Sequence, residues 1–274
     1  MKDNILGMIK PFLHLSLPML SIRNLIAIFI FIESISLLLY FVSSYLHYNI
    51  PTILSSAIVT TLMLIYLQRS KSSKQKSDKF FLFLLSALIC WFLAELLYGY
   101  YDGILKIDAY PSFADFFYMV GSIFFILFLY LLNRSYKIEL GIIISALITF
   151  SFFIVYFLYV GIFVFEIYAF SDDVSTLILL FGYPVIDAFI ILASIAYFLR
   201  GKDISLKKEY SFWIFFALFG LLFFIADLMF GFNDLLKIID TNRFLDIFYD
   251  VGYIMLGIAI IIKIKYTTTS VQNY

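Results

Sequence analysis

Cysteine, histidine and charge are all scarce in this 274-residue chain. The single cysteine, Cys90, excludes an internal disulfide framework and any cysteine-based metal site. His14 and His47 are the only histidines and flank the apolar segments on opposite sides, so zinc and haem chemistry has almost no ligands. Charged residues make up 14 % of the chain, against roughly 25 % in a soluble domain, which excludes an ordinary cytosolic protein. Nineteen Lys and Arg balance nineteen Asp and Glu, leaving no net positive field for a nucleic acid. What is abundant is apolar: 64 % hydrophobic residues, 21 % aromatics and a mean hydropathy of +1.02. That composition excludes disorder and places the chain in a lipid bilayer, with the plasma membrane as the expected location.

A bilayer core takes about 20 apolar residues per helix. Eight segments fit, over about 24–46, 51–68, 80–101, 113–133, 140–165, 175–199, 211–232 and 244–264. The expected fold is therefore an all-α polytopic membrane protein of eight transmembrane helices. Residues 1–20 carry no basic run followed by a small-residue cleavage site, so no cleaved signal peptide is expected there. Ile5, Leu6, Met8, Ile9, Phe12 and Leu13 fit one face of a short interfacial helix, and a plain N-terminal tail fits as well. With an N-in orientation, sixteen of the nineteen basic residues fall on the cytoplasmic side, leaving Lys106, Lys237 and Arg243 outside. Over short loops this asymmetry predicts that both termini face the cytoplasm.

The two halves of the chain resemble each other. Residues 91–102, WFLAELLYGYYD, match 223–234, FFIADLMFGFND, at an offset of 132. Residues 113–121, FADFFYMVG, then match 244–252, FLDIFYDVG, at an offset of 131. Apolar positions coincide by chance in any membrane protein, but matched acid, Gly and Tyr positions do not. The expected organisation is an N-terminal segment (1–20), a first four-helix repeat (21–138), a second (139–266) and a short cytoplasmic tail (267–274). Four helices per unit is an even number, so the repeats run parallel, as in some transporters.

A carboxylate within hydrocarbon costs several kcal/mol unless it is neutralised, solvated or paired, so each is a functional candidate. Glu33, Glu95, Asp187 and Asp227 lie within spans, and Asp115, Asp246 and Asp250 lie at outer ends. No Lys, Arg or His is deep enough to neutralise them. Glu95 and Tyr98, Asp115 and Tyr118, and Asp246 and Tyr249 each sit at i, i+3, on a common helix face. Tyrosine supplies both a donor for a carboxylate and an aromatic wall for a cation. These ten residues form the candidate ligand site. Other roles remain open for some of them. Asp115, Asp246 and Asp250 also fit as first-turn residues that satisfy free backbone N–H groups, and outer tyrosines fit an aromatic belt.

Catalytic constellations are thin. Phe248-Tyr249-Asp250 mimics half of an intramembrane aspartyl protease signature, but no Gly-x-Gly-Asp follows. A serine nucleophile has no histidine or buried lysine as its base. No cofactor is expected, although carboxylates leave room for a bound Mg²⁺, Mn²⁺ or Ca²⁺.

Tyr110-Pro111-Ser112-Phe113-Ala114-Asp115-Phe116-Phe117-Tyr118 resembles a proline-serine-x-alanine-aspartate-x-x-tyrosine motif. That motif occurs in the membrane-embedded sensory regions of bacterial diguanylate cyclases, cyclic-di-GMP phosphodiesterases and some histidine kinases. Tyr183-Pro184-Val185-Ile186-Asp187 resembles that family's second motif. Ala226-Asp227, with Leu245-Asp246 and Gly252-Tyr253, resembles its closing helices. The resemblance runs over about 80–265 and implies an input module. Family members continue into a cytoplasmic output domain, whereas ten residues follow Ile264 here, so a free-standing module is expected.

The leading expectation is a membrane sensor or binding module with an outward-facing acidic-aromatic cavity for a small cation, proton or amine. It would act with the bilayer and with either a separate signalling protein or a second copy of itself. The alternatives are a proton-coupled transporter of a cationic solute, a membrane enzyme acting on lipid or isoprenoid substrates, and a structural protein.

Overall fold

The computed structural model describes residues 21–40, 44–70, 79–107, 109–136, 139, 141, 144, 146–151, 154, 174–201, 210–236 and 242–272. All the elements described are helical. They are α1 (Ile22–Tyr40), α2 (Ser44–Ser70), α3 (Phe81–Gly99), α4 (Phe113–Tyr136), α5 (Val174–Gly201), α6 (Tyr210–Leu236) and α7 (Asn242–Gln272). These sequences are apolar around the whole helix rather than along one stripe, which is the pattern of a helix surrounded by lipid and other helices. In hydrocarbon the backbone must satisfy its own hydrogen bonds, and a helix does so within one segment. Among the described residues, six helices rather than the eight expected, lying within α2 to α7, are long and apolar enough to cross a membrane. The protein is a multi-pass helical membrane protein.

Helix α1 covers only part of the first expected span, 24–46, and is not among those six; its N-terminus is capped by the Ser21 hydroxyl, which accepts the Asn24 N–H at 3.0 Å. Most of the fifth expected span, 140–165, the 1–20 segment and the last two residues of the tail lie outside the described residues. The described part of that span packs on α5 and α6, with Ile154 against Leu180 and Ala188 and Phe150 edge-on to Phe224.

One expected boundary is corrected. Pro51 marks the start of the second span in the sequence, yet α2 begins at Ser44 and carries Pro51 inside it. Proline is tolerated there because neighbouring helices compensate for the missing backbone hydrogen bond. Pro184 lies inside α5 in the same way, one residue from Tyr183. Helix α3 continues as a π-helical turn over Tyr100–Leu105, closed by Lys106 in the left-handed region at φ 55°.

Helices α2 to α7 close into a ring in chain order, with α7 returning to α2, and α1 leans on α2 and α7 from outside. The centre of the ring is aromatic. Trp91 stacks on Phe223 at 5.1 Å with the planes 10° apart, and Phe125 and Phe219 pack beside it. Further along, Phe81, Phe128, Phe212, Trp213 and Phe216 fill the interior, all fully buried, and Tyr197 donates its hydroxyl to the Leu129 carbonyl. Within a bilayer the gain comes from close packing of these rings rather than from their removal from water. This layer closes one half of the ring.

Candidate functional site

The other half of the ring holds a cavity of about 120 Å³. Helical spacing aims several residues of each helix at it. Trp91, Glu95 and Tyr98 come from α3, Asp115, Tyr118 and Ser122 from α4, and Tyr183, Ile186 and Asp187 from α5. Phe223, Asp227 and Phe230 come from α6, Asp246 and Tyr249 from α7, and Asn49 and Thr52 from α2. Tyr110, just before α4, completes the wall with its ring edge-on to Phe230 at 5.0 Å.

Five carboxyl groups on five different helices therefore share one cavity. Most are held by tyrosines. Tyr249 donates to Asp227 Oδ1 at 2.5 Å, Tyr253 to Glu95 Oε1 at 2.8 Å, and Tyr183 to Asp115 Oδ1 at 2.8 Å. Tyr118 also hydrogen-bonds Glu95. A hydrogen bond to a charged group contributes about 1.5–3 kcal/mol, so these hydroxyls offset part of the desolvation cost.

Asp115 has two roles at once. Its Oδ2 accepts the Ser112 backbone N–H at 2.7 Å, and the Ser112 hydroxyl accepts the Ala114 N–H at 3.1 Å. This is a reciprocal cap at the start of α4. The cap uses one carboxylate oxygen and leaves the other for Tyr183 at the cavity wall, so a first-turn role and a cavity role coexist.

Asp187 is the least satisfied. It is 3 % exposed, its Oδ2 meets no hydrogen-bond donor, and its carboxyl lies against that of Asp227. Two carboxyl groups in such contact need a proton or a cation between them. None of the residues that line the cavity is Lys, Arg or His. Among the described residues, no group of three His, Cys, Asp or Glu side chains is arranged to hold a metal ion.

Eight of the ten candidate residues line the cavity: Glu95, Tyr98, Asp115, Tyr118, Asp187, Asp227, Asp246 and Tyr249. Glu33 and Asp250 do not. They meet each other behind the wall, where α1 covers α7. Helical spacing sets Tyr253 on one face with Asp246 and Asp250, whereas its hydroxyl reaches Glu95 on another helix, and Tyr183, four residues before Asp187 on one face of α5, reaches Asp115; neither tyrosine is among the ten candidates. Trp91, Phe223 and Phe230 were also missed, because apolar residues in an apolar span carry no contrast.

Two close approaches set the floor. A Cβ on Gly121 would stand 2.3 Å from Trp91 Cδ1, and one on Gly252 would stand 2.6 Å from Phe223 Cδ2. The Trp91 Nε1–H donates to the Tyr118 carbonyl at 3.1 Å, which fixes the indole over Gly121. No protein-family model, curated protein or solved structure matches this chain.

Proposed function

We propose that this protein is a membrane-embedded sensor or binding module whose cavity takes a small cation, a protonated amine or a proton. The observation that carries this reading is the excess of acid: five carboxyls and no basic side chain line an aromatic-walled cavity. Carboxylates supply the counter-charge, and aromatic faces attract a cation by about 0.5–2 kcal/mol each. The cavity is lined from the C-terminal halves of α3 and α6 and the N-terminal halves of α2, α4, α5 and α7, and the positive-inside asymmetry of the sequence supports a reading in which those ends face outside. The buried aromatic layer beneath it favours a binding site entered from one side over a through-going carrier.

A parallel duplication of two four-helix units belongs to this reading. In its support, Gly121 approaches Trp91 as Gly252 approaches Phe223, and Tyr118 reaches Glu95 as Tyr249 reaches Asp227. In each comparison the partners are related by the sequence offsets of 131 and 132. The stacked Trp91 and Phe223 would then lie on the pseudo-two-fold axis. Membership of the sensory input family fits the same picture, with ligand occupancy passed to a separate signalling protein or a second copy.

The test is a thermal-shift screen of the purified protein in nanodiscs with metal ions, protonated amines and amino acids from pH 4 to 9. Glu95→Gln and Asp227→Asn are run alongside. A ligand that binds the folded state raises its apparent stability by mass action. The expected result is a saturable shift with at least one cation or amine, lost in Asp227→Asn. Destabilisation of both variants with no response to any panel member would refute the site and leave these acids as structural contacts.

A further inference from the structure

We infer that the cavity takes a primary amine of about four to six non-hydrogen atoms, with an apolar body and no acidic group, its ammonium seated at Asp187. This rests on reading the cavity as a cation site and narrows that site to one class of ligand. Asp187 is the anchor. It lines the cavity, is 3 % exposed, and its Oδ2 is buried with no hydrogen-bond donor. Of the five cavity acids it alone has such an orphaned oxygen. Asp115 is held by the Ser112 N–H and Tyr183, Glu95 by Tyr253 and Asp227 by Tyr249. A buried acceptor without a donor is costly, and an ammonium N–H meets it.

The same donors count against a metal ion. Ca²⁺ takes about six to eight oxygen ligands, and Mg²⁺ demands a near-ideal octahedron. Both oxygens of Asp115 are already taken, and tyrosine hydroxyls occupy one oxygen each of Glu95 and Asp227. Among the described residues, no three acids converge as a metal needs. Aromatic side chains make up eight of the seventeen that line the cavity. Three edge-on pairs stand in its wall: Tyr118 with Tyr183, Phe223 with Tyr249, and Tyr110 with Phe230. Ring faces attract an organic ammonium and cover its apolar body, but ring carbons offer a metal ion no lone pair.

Size and charge narrow the class. An apolar cavity of about 150 Å³ takes benzene, so the volume of about 120 Å³ here admits a body of that size or slightly less. A quaternary ammonium has no N–H to give Asp187 Oδ2. An amino acid would bring a carboxylate among five acids, with no Lys, Arg or His in the wall to receive it.

The experiment uses the whole protein in nanodiscs near neutral pH, with thermal unfolding and calorimetry as readouts. The probes are n-butylamine, tetramethylammonium with the same number of non-hydrogen atoms, 1-butanol, 4-aminobutyrate and CaCl₂. We expect n-butylamine to raise Tm saturably, with stoichiometry near one, and every other probe to be weaker by at least roughly tenfold, the worth of one charge-assisted hydrogen bond. Asp187→Asn should fold and lose the response by a similar factor. Phe230→Leu, which keeps every acid, should weaken it severalfold through the aromatic wall alone. A response to tetramethylammonium or CaCl₂ that equals that to n-butylamine, and is lost in Asp187→Asn, would overturn the primary-amine class and leave the cation cavity standing. A response to 1-butanol as strong as that to n-butylamine, or one to n-butylamine that survives in Asp187→Asn, would place the amine in the lipid or elsewhere and overturn the inference. Silence from every probe would overturn both readings and leave Asp187 sharing a proton with Asp227.

Discussion

Replacing Gly121 by alanine tests the packing beneath the cavity. The new Cβ would lie 2.3 Å from Trp91 Cδ1, 2.7 Å from Nε1 and 3.0 Å from the Ala87 carbonyl oxygen. Carbon atoms in contact sit at about 3.5–4.0 Å, so the indole would have to retreat by about 1.2 Å. It has little room to do so. Phe223 stacks on it at 5.1 Å, Phe125 lies at 4.7 Å, Phe219 at 5.9 Å and Tyr253 at 6.4 Å, and Nε1 is tied to the Tyr118 carbonyl. Overpacking of this kind costs about 1–3 kcal/mol, and straining the indole hydrogen bond adds about 0.5–1.5 kcal/mol. Helix propensity returns roughly 0.5–1 kcal/mol for Gly to Ala. The expected net loss is about 0.5–4 kcal/mol, read by reversible unfolding in mixed detergent micelles. Gly141→Ala is the control, because among the described residues nothing lies within 4 Å of its Cβ, and it should be neutral or slightly stabilising. Gly252→Ala should behave like Gly121→Ala, since its Cβ meets Phe223 at 2.6 and 2.7 Å. Equal stability of Gly121→Ala and Gly141→Ala would refute the reasoning.

Four further outcomes are expected. Tyr249→Phe removes the donor to Asp227 Oδ1 and should lower unfolding stability by about 1.5–3 kcal/mol if that carboxyl is ionised. Tyr183→Phe should cost less, about 1 kcal/mol, because the Ser112 N–H still holds Asp115, and a larger loss in the same assay would count against a shared cap. Lys263 Nζ lies 5.3 Å from the Phe81 ring centre and 5.9 Å from that of Phe212, so Lys263→Gln should lower stability by about 0.5–2 kcal/mol in thermal unfolding. In a Cys90→Ala background, a membrane-impermeant maleimide should label Lys106→Cys in intact cells and Lys76→Cys only after permeabilisation. The opposite pattern would invert the orientation.

Where the acids meet was less legible than where the helices lie. Asp246 and Asp250 share one face of α7 at i, i+4, and spacing alone treats them as equals. The structure separates them, with Asp246 in the cavity and Asp250 behind it against Glu33. A helical face is defined only to within its own width, and the position of α1 decides which neighbour each residue meets. The tyrosines that hold Asp115 and Glu95 come from 68 and 158 residues away, so no local spacing announces them. The start of α2 was misread for a related reason. Pro51 stops a helix in water, but packing within a membrane accommodates it.

The amino-acid sequence by itself determined that this is a helical multi-pass membrane protein, because span length and burial cost are properties of each segment against lipid. It also located every acid of the cavity within or beside a span, since isolated carboxylates stand out in an apolar background. Only the tertiary structure decided that α2 to α7 form a ring, that five of those acids share one cavity, and that Trp91 and Phe223 floor it. Those outcomes depend on which helix faces pack together. In a uniformly apolar chain, that choice is made by close contacts such as Gly121 against Trp91 rather than by any contrast along the sequence.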